Sequence, residues 1–163
     1  MDQKTITATR PDLTTVTPPP VFSPAEGVVT PALIFKVWDG DSMRACFYDP
    51  DREEGHDLIT LSVRLAGIDT PELRSPEGSA EKLLSQEAKI FVQEAVENKV
   101  ALTTFGETDK YGRTLASIEI PGAGDLSLAL LREKLAYAYD GGSKAKNWED
   151  LMAERRALLD AKH

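Results

Sequence analysis

The chain has 163 residues, 41% of them hydrophobic, and a formal charge of −8. That length supports one domain with a proper core, and the negative balance excludes a broad basic surface gripping polyanions through many contacts. A single cysteine, Cys46, excludes an intrachain disulfide and a multi-cysteine zinc site, so any metal chemistry here has to use oxygen ligands.

Residues 1–25 are rich in Thr and Pro and poor in apolar side chains, which predicts a disordered or extended tail ahead of one domain over 26–163. The tail has no apolar run of the signal-peptide kind, and no stretch approaches transmembrane length. The expectation is a soluble protein, cytoplasmic or otherwise, with no membrane partner. The tail itself could dock the domain to a larger assembly.

From residue 27 the pattern is that of strands. Residues 28–30 and 32–38 form the first, stopped by Asp39-Gly40, a turn signal, after which 42–48 continue as the second. A polar loop over 49–57 leads to a third strand over 58–67. Residues 79–98 then place Leu83, Leu84, Ala88, Phe91, Val92, Ala95 and Val96 at helical spacing, with Ser79 as cap and Asn98 as stop. Strands follow over 100–105 and 114–120. Asp125 caps a second helix over 126–135, and a third over 147–161 carries Leu151, Met152, Arg155, Leu158 and Leu159 on one side. Five strands with a helix inserted after the third describe a small, partly open β-barrel with helices packed on it, an α+β arrangement. Runs of strands, rather than strands alternating with helices, argue against a doubly wound sheet.

The chemistry begins where the third strand ends, in Val63 to Glu72, which reads V-R-L-A-G-I-D-T-P-E. Period-two alternation puts Arg64 on a face shared with Ala66 and Ile68, where a guanidinium needs an anionic partner; Asp69 and Glu72 follow within a few residues. The bland account of the same stretch is a helix start, with Thr70 as cap and Pro71 in the first position. Asp39 and Asp41 flank the first hairpin turn. If the hairpin sets strand two beside strand three, Asp41 and Asp69 converge, and two carboxylates with carbonyls and water suit a hard cation such as calcium or magnesium. Turns alone select the same residues. The run from Asp49 to Gly55 starts like an EF-hand loop, but Pro50, Arg52 and the displaced glycine do not fit, and a solvated loop is expected. Asp109-Lys110-Tyr111-Gly112-Arg113 reads either as a polar turn or as the source of a second guanidinium, Arg113, with Lys110 and Tyr111 beside it to contact phosphate.

Asp39-Gly40-Asp41, Arg64-Leu65 with Asp69-Thr70-Pro71-Glu72, and Asp109-Lys110-Tyr111-Gly112-Arg113, in that order and spacing, resemble the staphylococcal nuclease (thermonuclease) family from about Val28 to Ala161. The resemblance implies a five-stranded OB-fold barrel with three helices. It also implies a metal-dependent phosphodiesterase that cleaves DNA and/or RNA with Ca2+ as cofactor, leaving 3'-phosphate and 5'-hydroxyl ends. Carried over residue by residue, it makes Asp41, Asp69 and the Thr70 carbonyl the calcium ligands and Glu72 the group that orients or deprotonates the attacking water. Arg64 and Arg113 would bind the scissile phosphate, and Lys110 and Tyr111 the neighbouring one. Tyr137 and Tyr139 resemble the family's substrate-contacting pair, although the run 135–139 aligns in more than one register. Ser42 stands where the family usually has threonine, and 73–78 lacks the lysines that some members carry. A monomer is expected. The alternative is a catalytically silent OB-fold module that binds nucleic acid or protein.

Overall fold

Alternation decides the first strand. In β1 (Val29–Val37) the side chains of Ala32, Ile34 and Val37 are buried while Val29, Pro31, Leu33 and Phe35 face out. The change of phase between Ile34 and Val37 is made by a bulge at Ile34/Lys36 in the pairing with β2 (Ser42–Tyr48). The computed structural model describes residues 27–49, 58–139 and 146–162. The tail over 1–25 and most of the polar loop with the EF-hand-like start lie outside the described residues.

β2 pairs antiparallel with β3 (Leu58–Leu65), β1 pairs antiparallel with β5 (Lys99–Thr108), and β5 with β6 (Thr114–Ile120). A parallel pairing of β3 with β6, Val63 opposite Thr114 and Leu65 opposite Ala116, closes the five strands into a barrel. The expected fold class holds: an α+β, OB-fold-like five-stranded barrel with three helices. Inside lie Ile34, Met43, Val63, Leu65, Phe105 and Ile118, none more than 1% exposed, and the rings of Phe47 and Phe105 sit 4.8 Å apart. Two short ladders finish the sheet work. β4 (Ile68–Asp69) pairs with β8 (Tyr137–Ala138), and β7 (Gly124–Asp125) with the end of β6.

The helices start where the caps place them and end where tertiary contacts do. In α1 (Ala80–Val96) the Ser79 hydroxyl accepts the Lys82 N–H at 3.1 Å, and Leu84, Ala88, Val92 and Val96 are buried against the barrel, whereas Leu83 turns outward. The helix stops at Glu97 rather than running through Asn98. Asn98 adopts φ +62°, and its N–H reaches the Ile34 carbonyl at 2.6 Å while the Glu97 carboxylate accepts the Val37 N–H at 2.8 Å. α2 (Leu126–Arg132) is shorter than expected for the same reason: Lys134 is left-handed at φ +59°, which drops Leu135 into the core with its N–H on the Leu130 carbonyl. α3 (Trp148–Ala161) is capped by Asn147. No helix begins at Thr70-Pro71. That segment leaves β4 without regular structure and runs into a turn at 73–74, so its cap-like sequence is overridden. Among the described residues, no helix is long and apolar enough to cross a membrane.

α3 is fastened by charge as well as by the buried Leu151 and by Trp148 and Met152 against the core. The buried Arg155 donates Nε to Glu87 of α1 at 2.9 Å and Nη1 to the Glu133 carbonyl at 2.6 Å, and Arg156 adds two further bonds to Glu87. The Arg156 hydrogen bonds, joined by those of Arg155 and opposed by burial, hold the Glu87 carboxyl below the ordinary glutamate range. Arg155→Ala is expected to destabilise the fold by about 2–3 kcal/mol in urea unfolding, because it strips a charged donor from two elements at once. A carboxyl depressed on folding stabilises above its unfolded pKa, and this contribution disappears as pH falls through the folded value. Glu87→Gln should therefore lower the melting temperature at pH 7 and flatten the loss of stability below about pH 4.5; an unchanged acid slope would rule the clamp out.

Candidate active site

The β2–β3 register sets Ser42 opposite Arg64, and the Leu65 N–H extends the ladder to the Asp41 carbonyl at 2.9 Å. Asp41 therefore sits one residue beyond Arg64's partner, at the mouth of the barrel. The chain then reverses at Gly67, whose φ of +79° suits glycine, and β4 brings Asp69 back over the same guanidinium. Arg64 Nη2 lies 2.6 Å from Asp69 Oδ1 and 3.5 Å from Asp41 Oδ2, with side-chain exposures of 14%, 21% and 12% for the three. Arg64 Nη1 also donates to the Leu65 carbonyl at 3.3 Å. The anionic partner that the sequence demanded for Arg64 is present twice over.

Asp41 is the most confined of these acids. Its Oδ2 accepts the Thr70 N–H at 3.4 Å and its Oδ1 the Ser42 hydroxyl at 3.3 Å. Burial, and then the negative charge of Asp39, push its carboxyl up to about 6, while Arg64 pulls the other way. The glycine of the turn is there for space, not for backbone freedom: a Cβ on Gly40 would stand 2.9 Å from Thr70 Cγ2 and 3.0 Å from Ala88 Cβ. The turn is thereby pressed onto both the 69–72 segment and α1.

The second guanidinium is organised by Asp109. One carboxylate oxygen accepts the N–H groups of Tyr111 and Arg113, each at 2.9 Å, and the other accepts Arg113 Nε at 3.0 Å. Burial works against the ionised form, yet these N–H groups and the guanidinium outweigh it and hold the Asp109 carboxyl below the ordinary aspartate range. Arg113 Nη1 then donates to Ser42 Oγ at 3.2 Å, and that hydroxyl donates onward to Asp41. The hydroxyl at position 42 is thus the link between the two arginine clusters.

Two hollows share Asp69 as a common wall. One, of about 340 Å³, is lined by Arg64, Lys110, Tyr111, Arg113 and Tyr139 as well. The other, of about 300 Å³, holds Thr70, Glu72, Glu81, Lys146 and Trp148. Cations and aromatic rings line the first, and carboxylates dominate the second. Arg64 lies 5.7 Å from the centre of the Tyr139 ring, and Arg113 and Lys110 lie 5.6 and 5.2 Å from that of Tyr111. Of the two tyrosines in the 135–139 run, Tyr139 lines this cleft. Tyr137 instead donates its hydroxyl to the Asn147 carbonyl at 2.6 Å and packs its ring 5.2 Å from Trp148.

Glu72 reaches solvent at the rim of the second hollow, and its N–H is held by Glu81 at 3.0 Å. Partial loss of hydration raises its carboxyl above the ordinary range; the charges of Asp41, Glu81 and Asp69 add to this, and Arg113 opposes it. Glu81 and Lys146 did not emerge from the sequence. The Lys146 ammonium lies 2.9 Å from Asp69 Oδ2, the oxygen that Arg64 leaves free.

The acids suit a small hard cation in part. Asp41 and Asp69 both reach the same Arg64 nitrogen, so their carboxylates are near neighbours. Among the described residues, no three Asp, Glu, His or Cys side chains converge as a complete metal cage. A cation there would draw its remaining ligands from backbone carbonyl and water, as oxygen-seeking divalent ions commonly do.

Residues 62–161 match the family model described as staphylococcal nuclease homologue. The chain belongs to the staphylococcal nuclease homologue family. It is 41% identical over 92 residues to a probable endonuclease LCL3 of Nakaseomyces delphensis, covering 55% of this chain and 35% of that protein. A probable endonuclease LCL3 of Clavispora lusitaniae is 34% identical over 116 residues, 69% of this chain and 49% of that one. The chain spans from about a third to about half of the length of these relatives. The family match contains Arg64, Asp69, Glu72 and Arg113 but begins after the Asp39-Gly40-Asp41 turn.

Because the turn is fitted without slack, Gly40→Ala in this nuclease homologue is expected to cost about 1–3 kcal/mol of stability, as overpacking does. Chemical denaturation measures that, and a variant as stable as the parent would show that Thr70 and Ala88 yield freely.

Proposed function

We propose that this chain is a calcium-dependent nuclease that hydrolyses phosphodiester bonds of DNA and/or RNA, water attacking phosphorus to give 3'-phosphate and 5'-hydroxyl ends. The observation that carries the reading is the shared cleft. Two guanidiniums held by separate acids line one hollow, and across Asp69 lies a second hollow with a carboxyl, Glu72, whose pKa is raised by burial and by the neighbouring acids.

In this reading Asp41, Asp69 and the Thr70 carbonyl hold calcium. The bound ion supplies positive charge against the phosphate oxygens and a fixed geometry for the reactants. Arg64 and Arg113 grip the non-bridging oxygens of the scissile phosphate, where forked donors match the charge that builds up during attack. Glu72 aligns the attacking water and accepts its proton. The new bond joins the water oxygen to phosphorus, the bond from phosphorus to O5' breaks, and the departing oxygen takes up a proton. Lys110 and Tyr111, exposed at the outer edge, hold the neighbouring phosphate. Tyr139 offers a face beside Arg64 for sugar or base.

Asp109 and Ser42 act at one remove. Asp109 aims Arg113, and Ser42 ties that arginine to the acid cluster.

Digestion of single- and double-stranded DNA and RNA in calcium, in magnesium and in chelator tests the proposal. Calcium-stimulated cleavage is expected, slowed by roughly 10²- to 10⁴-fold in Glu72→Gln and by roughly 10²- to 10³-fold in Arg113→Ala. End-group analysis should find 5'-hydroxyl products. Oligonucleotide binding with turnover equal to that of Glu72→Gln would instead mark a silent OB-fold binding module.

A further inference from the structure

The unexplained group at the site is Lys146. It lies outside every motif that brought the other residues together, yet its ammonium sits 2.9 Å from Asp69 Oδ2 with the side chain only 28% exposed. Asp69 is in consequence fully engaged, one oxygen on Arg64 at 2.6 Å and the other on Lys146.

The placement is built rather than incidental. Lys146 immediately precedes Asn147, the cap of α3. The carbonyl of Asn147 accepts the Tyr137 hydroxyl, Trp148 packs on the Tyr137 ring, and Tyr137 is itself the β8 residue paired with Asp69 in β4. Three successive residues, 146 to 148, are therefore hung on Tyr137 and across to Asp69, with α3 fastened at its middle by Arg155 and Arg156. The lysine is delivered to one carboxylate oxygen by an arrangement that spans β4, β8 and α3.

We propose that Lys146 is a tethered counter-ion that competes with the divalent cation for Asp69. The inference rests on the metal reading given under the proposed function and extends it. An ammonium is a compact point charge with no acceptor, so it satisfies the carboxylate but cannot share it as a ligand bridge. A cation that coordinates Asp69 Oδ2 has to displace the lysine and loses its attraction to the acid in exchange. Lys146 thus sets the affinity of the site low and keeps Asp69 oriented in the absence of metal. Arg64, which binds the other oxygen and also reaches Asp41, is not displaced in this exchange.

Titration calorimetry of calcium into the folded chain without nucleic acid tests this directly. Lys146→Met should bind calcium about three- to tenfold more tightly than the parent, the scale of one partly exposed ion pair. Lys146→Arg should behave like the parent, since it retains a cation that can hold Asp69. Lys99→Met, at the start of β5 just past the C-terminal end of α1, a helix about 25 Å long that carries Glu81 in its first turn, controls for the loss of one positive charge at a distance and should change little. Unchanged affinity in Lys146→Met, with binding abolished in Asp41→Asn, would overturn the inference and leave the metal reading standing. Equal tightening in Lys99→Met would reduce the effect to net charge and also overturn it. Absence of calcium binding in the parent and every variant would defeat both.

Discussion

Everything at the mouth of this barrel depends on one guanidinium being planted in a strand. Arg64 stands on β3 between two fully buried neighbours, Val63 and Leu65, and its charge can be kept there only by anions brought from elsewhere in the chain. The β2–β3 register supplies Asp41, and the reversal at Gly67 supplies Asp69. The parallel β3–β6 pairing sets Leu115 opposite Arg64, which brings the start of β6 and the adjoining Arg113 to the same end of the barrel. Barrel closure and charge pairing therefore enforce one another. A slip of one residue in either register would move Arg64 to the other face and leave two carboxylates without their cation.

The two arginines are held differently, and the difference matters for what each can do. Arg64 is committed to two acids that are themselves candidates for a cation, so its environment changes whenever those acids find another partner. Arg113 is held through Asp109 by a local turn, with both Asp109 oxygens occupied by groups from residues 111 and 113. Its direction is set by that turn and by Ser42, independently of what happens at Asp69. One guanidinium is responsive and the other is fixed.

Much of this was legible in the sequence because the governing rules are local. Alternation marked the strands, Ser79, Asp125 and Asn147 marked the helix starts, and the Asp-Gly turn implied the hairpin that brings Asp41 toward the third strand. The end of the second helix was not legible. Asn98 was read as a stop, and asparagine tolerates the left-handed conformation that it adopts there, but Lys134 leaves its helix in the same conformation through hydrogen bonds around Leu130, and nothing in its own side chain announces it. Thr70-Pro71 has the grammar of a helix start, but the segment follows directly on β4 and the Thr70 N–H is already used by Asp41. Tyr137 and Tyr139 are distinguished only by partners distant in sequence, Trp148 beside the one ring and Arg64 beside the other. Lys146 was invisible for the same reason. A lysine in a Gly-Gly-Ser-Lys-Ala-Lys run reads as solvated, and only the Tyr137 to Asn147 contact brings it to Asp69.

The overall charge of −8 gives these local pairings their consequence. At physiological ionic strength charges beyond about 8 Å are largely screened, so a polyanion approaching this protein feels chiefly the field of the cleft itself. Within the cleft Arg64 is compensated by Asp41 and Asp69, and Arg113 by Asp109, so the two guanidiniums offer a phosphate little uncompensated positive charge. An added cation on the Asp41 and Asp69 side changes that balance, because it takes over the neutralisation of those acids and leaves the Arg64 charge available to an incoming phosphate. A phosphate on the arginine side in turn makes the acids more welcoming to a cation. The two ligands on this reading bind with positive coupling, and by thermodynamic reciprocity each must raise the affinity of the other by the same factor. On the proposed reading, an acidic protein with a partly neutralised cleft is selective because neither ligand alone finds the site in its receptive state.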